Sequence, residues 1–153
     1  KMAKLKRMLL RILLLPVFPV WDALLVPDEG EVNLLSHSLN KIASADVKLR
    51  IFTNNYTPVE GSVYADFTEA TADGYAGITL TGASWTIATD TGVTTATYAQ
   101  QTFTFTAAST NYGYYVVNNA GNKILWAERF SDAPHTIPAG GGTEKITCNL
   151  IGE

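Results

Sequence analysis

A chain of 153 residues fits one domain of ordinary size and would crowd two. With 46% hydrophobic and only 16% charged residues, where about 25% charged is usual, its surface must be largely uncharged or covered by a partner. The formal charge of −3 divides into +4 over residues 1–27 and −7 over the rest, which excludes nucleic-acid binding through the acidic body.

At the N-terminus Lys4, Arg7 and Arg11 recur at i, i+3, i+7, and Leu5, Met8, Leu9, Ile12 and Leu15 fall on the neighbouring face. This spacing predicts a basic amphipathic helix. Pro16 and Pro19 stop it, and each pushes the residue before it out of the α region, so Val17, Phe18, Val20 and Trp21 should be extended. Residues 1–27 therefore read as an arm, with Leu5, Met8, Leu9, Ile12, Val17, Phe18, Val20 and Trp21 as candidate partner contacts. A small β domain has little room to cover two apolar elements of its own, which favours a neighbouring subunit as the partner. A cleaved secretory signal fits poorly, because Arg11 interrupts the apolar stretch and Trp21 stands where a small residue is wanted. A membrane span is not expected, since about 20 uninterrupted apolar residues are required.

Residues 28–153 read as a single β-rich domain that opens with a helix over about 28–44. Asp28 and Glu31 have the spacing of a capping box, and Val32, Leu35, Leu39 and Ile42 form one apolar stripe. His37 lies off that stripe and reads as a solvated helix histidine. From Asp46 the period becomes two. Predicted strands run over 47–52, 62–68, 75–81, 84–89, 93–98, 100–107, 112–118, 123–130 and 144–151. Twelve threonines fall within residues 79–110, a density that favours strands because β-branching fits the pleat. Asn118-Asn119-Ala120-Gly121-Asn122 separates two aromatic and β-branched runs and reads as a hairpin turn. The expected fold is mainly β: an antiparallel β-sandwich or barrel of about eight strands, with Phe52, Trp85, Phe103, Phe105, Tyr114 and Trp126 in the core.

Chemistry-bearing patterns are sparse. His37 and His135 have no cysteine nucleophile or Gly-x-Ser-x-Gly elbow to work with, so no catalytic residue is assigned. Asp66, Glu69 and Asp73 lack the spacing of a calcium loop and read as solvated carboxylates; no metal and no cofactor are expected. Gly140-Gly141-Gly142 is followed by no Lys-Ser/Thr and reads as a flexible connection rather than a phosphate loop. Tyr112, Tyr114, Tyr115 and Trp126 could stack a sugar or a base, but core or interface is the commoner use of such residues. Cys148, the single cysteine, excludes an internal disulfide and reads as a buried, inert strand residue.

Several segments, taken in order, resemble a group of small virion structural proteins of tailed bacteriophages. They are Asp28-Glu29-Gly30-Glu31 with its helix, Leu49-Arg50-Ile51-Phe52-Thr53-Asn54-Asn55-Tyr56-Thr57-Pro58, Asp66-Phe67-Thr68-Glu69-Ala70, Gly74-Tyr75-Ala76, Ser84-Trp85, Tyr98-Ala99-Gln100-Gln101, Tyr112-Gly113-Tyr114-Tyr115-Val116 and Leu125-Trp126-Ala127-Glu128-Arg129-Phe130. The likeness runs from about Pro27 to Leu150 and leaves the arm outside it. It implies a non-enzymatic particle component, first of all a capsid decoration (cement) protein that binds the major capsid protein and sister copies on the phage head. A minor tail or tail-fibre, receptor-binding component is the alternative. A secreted carbohydrate-binding module, using the Tyr/Trp cluster, is a further one.

Overall fold

The computed structural model describes residues 25–39 and 45–152. Among them one helix and eleven strands in antiparallel sheets build a β-sandwich-like fold, as the alternating patterns predict. Helix α1 spans Asp28–Ser38. The strands are β1 Val47–Phe52, β2 Ile78–Leu80, β3 Thr86–Asp90, β4 Val93–Thr97, β5 Gln101–Phe105, β6 Ser109–Asn111, β7 Gly113–Val117, β8 Ile124–Arg129, β9 His135–Ile137, β10 Gly142–Ile146 and β11 Asn149–Gly152.

The central sheet has the order β2-β1-β7-β8, and every residue of β7 is buried because both faces of that sheet are covered. On one face Leu49, Ile51, Tyr114, Val116 and Trp126 pack with Phe103, Phe105, Ile146 and Tyr98, so β5 and β10 close the main core. On the other face Phe52, Tyr115, Val117, Ile124 and Ala127 form a second cluster with Phe67, whose ring stacks on Tyr115 at 5.1 Å. Burial of each such large side chain stabilises the fold by roughly 1.5–3 kcal/mol. Of the expected core aromatics five are buried, and Trp85 is half-buried against Tyr98 and Trp126.

Two turns explain two hairpins. At β7–β8, Asn118 Oδ1 accepts from the Asn122 and Lys123 N–H groups, and Gly121 takes φ +76°, as the polar turn residues predict. At β3–β4, Thr91 and Gly92 both have positive φ, 48° and 88°, the primed geometry that matches strand twist.

Other expectations are corrected. Residues 62–68 form no strand but a loop around a 3-10 turn, Tyr64–Asp66. Local polar bonds win there: Asp66 Oδ2 accepts from Val63 N–H, Asn54 bridges Asp66 and Thr68, and Ser62 Oγ accepts from Val59 N–H. The predicted strand 144–151 is two strands, broken around Cys148, which is buried in the link between them. The three-residue strands β6 and β9 carry too short a pattern to be read from sequence. The glycine run is no loose connection: Gly141 N–H donates to Pro138 O, and Gly141, at φ +85°, closes a turn against Phe105.

Helix α1 departs most from expectation. It ends at Ser38 with Leu39 in a turn, while residues 40–44 lie outside those described. No side chain caps its start; Pro27 is the N-cap, and Asp28 N–H donates to Glu60 O. Instead Glu29 turns to β8, accepting from Lys123 Nζ at 2.7 Å and Ile124 N–H at 3.0 Å. Gly30 lies so close to Leu125 that a Cβ would sit 2.0 Å from its carbonyl oxygen. At 3.6 residues per turn, Val32, Leu35 and Leu39 then point roughly 140–200° away from Gly30. The apolar stripe therefore faces outward, with exposures of 66%, 63% and 67%.

Candidate functional site

The outward face of α1 continues into an apolar groove. Leu25 is held on the edge of β8 by a pair of backbone bonds with Ala127, and this anchor sets Val26 as one wall. Residues Leu25 to Pro27, expected to belong to the arm, are thus tied to the body. Leu35 and Glu31 supply the helix wall, and the sheet β11-β4-β3 supplies the floor. Ile87, Ala96 and Leu150 stand directly opposite one another on the three strands and share one face. Ile151 adds the rim. The groove is open to solvent, with a volume of about 600 Å³, and Glu31 is the one charged residue among its described lining.

β3, one of the two edge strands of that sheet, is exposed along its whole length, and Ile87 on it is 71% exposed. Its residues Thr86 to Asp90 include no Lys and no Pro, the usual devices that discourage pairing with another chain. An apolar groove, an apolar helix stripe and an unguarded sheet edge together make a surface suited to burial against another macromolecule.

The polar clusters do structural work. Arg50 bonds Glu69 and Tyr64 at 3.0 Å each, and the Tyr75 hydroxyl donates to Glu69 while accepting from Ile51 N–H. Tyr114 donates to Glu128 at 2.5 Å; burial, then that bond, pushes its phenol far up. Burial, then the Glu128 charge, raises the Cys148 thiol to about 12, so it stays protonated and unreactive at neutral pH. His135 stacks on Phe130 with ring centroids 4.3 Å apart and bonds Glu144 at 3.0 Å and Asp132 at 2.6 Å. Burial of the ring opposes its charge, but the two carboxylates outweigh burial and raise the imidazole above its usual value. Both ring nitrogens lie within hydrogen-bond distance of a carboxylate, so the protonated ring donates to Glu144 and to Asp132.

Among the described residues no three His, Cys, Asp or Glu side chains are grouped to hold a metal ion. Asp66 and Glu69 are used in the loop bonds above and by Arg50. Tyr114, Tyr115 and Trp126 are buried, and Tyr112 is half-buried beneath Arg129, so they present no stacking platform. His37 is half-buried on α1. No described helix is long and apolar enough to cross a membrane. The candidate contacts Leu5, Met8, Leu9, Ile12, Val17, Phe18, Val20 and Trp21 all lie outside the described residues. Sequence reasoning missed the groove because its parts are separate in the chain: strand register brings Ile87, Ala96 and Leu150 together, and the placement of α1 adds Leu35.

Comparison with protein-family models, curated proteins and solved structures finds no match for this chain.

Proposed function

We propose that this chain is a non-enzymatic structural protein of a tailed-bacteriophage particle, a decoration protein that binds the major capsid protein and stabilises the head. The ordered likeness from Pro27 to Leu150 supports the virion class. One observation supports work by surface contact: Val32, Leu35 and Leu39, the residues a soluble helix would bury in its own core, are each more than 60% exposed beside the groove. A body that adheres to a curved lattice needs such apolar area, and low surface charge lowers the desolvation cost of covering it. In this reading the arm, residues 1–24, grips a neighbouring subunit, and the sandwich sits outside the shell.

Co-sedimentation with purified phage shells tests the reading. The full chain pellets with shells, and a chain lacking residues 1–24 stays in the supernatant while keeping its circular-dichroism spectrum. Full binding without the arm removes its role; no binding by the full chain removes the decoration reading. A tail component remains the second reading, because tail proteins bury apolar faces in the same way, and copy number separates the two.

A further inference from the structure

We infer that the groove bounded by Val26, Leu35, Ile87, Ala96, Leu150 and Ile151 is the seat for residues 16–24 of a second copy of this chain. This builds on the reading of the N-terminal segment as a subunit-binding arm and names its partner surface.

Three observations carry it. The first is chemistry. Residues 16–24 hold Val17, Phe18, Val20, Trp21 and Leu24 with a single charge, Asp22, and the groove is apolar with Glu31 alone charged among its described lining. The second is field. Residues 1–11, which precede the segment, carry +5 and residues 28–153 carry −7, so the start of the arm is drawn to an acidic body even though Asp22 and Glu31 share a sign. The third is reach. The root of the arm is pinned at Leu25 on Ala127, and Val26 is itself a groove wall. An extended chain gains about 3.3 Å per residue, so residues 16–24 reach roughly 30 Å from that root. Pro16 and Pro19 in the sequence disfavour the α region at the residues before them, a pattern that favours an extended segment leading away from the body. That length lets an extended segment span the distance to the equivalent groove of a neighbouring copy. Edge strand β3 lies alongside, where an extended segment adds backbone hydrogen bonds to the burial of its side chains. Such head-to-tail contacts close into a ring or continue along a lattice.

The test uses the full chain with a photo-crosslinking benzoylphenylalanine in place of Phe18, irradiated in purified form and read by gel and peptide mass spectrometry. The expected product has dimer mass or higher and joins position 18 to Leu35, Ile87 or Ile151. Ile87→Asp, at a position 71% exposed, is expected to lower that product about tenfold by placing a charge in the contact, with an unchanged melting temperature. Adducts confined to monomer mass, dimer adducts on another surface, or a yield indifferent to Ile87→Asp would overturn the inference. Groove adducts in a protein absent from phage particles would leave the inference standing and remove the virion reading. A head protein whose arm links only to the major capsid protein would do the reverse.

Discussion

His135 shows how a single residue ties the late strands together. Its ring bonds Glu144 of β10 and Asp132 of the preceding loop, so it braces β9 against both. Its pKa is raised on folding, so the stabilisation is complete below the ordinary value of 6.5 and is lost as pH rises through the folded-state value. The His135–Glu144 pair, with side chains 30% and 11% exposed, is expected to contribute about 0.5–1 kcal/mol. Chemical denaturation across pH 5.5 to 8.5, roughly the range spanned by a raised histidine, checks this: the parent chain is expected to lose stability above about pH 6.5, and His135→Gln to remove that decline. An identical decline in the variant would assign it to another group. Sequence reading assigned His135 no role, since Glu144 is a strand away and only the turn at Pro138 to Gly141 brings β9 and β10 together.

Among the elements, α1 is where local pattern and tertiary placement part. The stripe at 32, 35 and 39 is legible as helix, and the helix forms, but the stripe does not choose the buried face. Gly30 and Glu29 do, through close approach to Leu125 and bonds to Lys123 and Ile124. Gly30→Ala is therefore expected to cost about 2 kcal/mol by forcing α1 off β8. Leu35→Ser is expected to change stability by no more than about 0.5 kcal/mol. Urea unfolding of both variants decides this, and the reverse ranking would mean that the stripe holds the helix. The sheet was easier to read, because Leu49, Ile51, Phe103, Phe105 and Ile146 alternate strictly and the Asn118 and Gly92 turns announce their hairpins. The loop 62–68 was not, since Asp66 and Ser62 satisfy the backbone locally and no periodicity records such bonds.

For the whole molecule, the two clusters that cover both faces of the central sheet account for a stable body. They do not account for the apolar face left outside it at Val32, Leu35, Leu39, Ile87 and Ile151. Exposed area of that kind is a cost to a free monomer, through aggregation, and a gain to a component stored on a particle. The candidate arm was legible as a pattern of Pro, Trp and Leu, whereas its proposed receptor needed the register of β3, β4 and β11.

Where the protein resides, and in how many copies, separates a head role from a tail role and both from a role outside the particle. Quantitative densitometry of purified phage particles against the major capsid band measures this directly. A decoration protein is expected in hundreds of copies per particle, on the order set by lattice symmetry. A few to tens of copies would move it to the tail, and absence from the particle would contradict the account altogether.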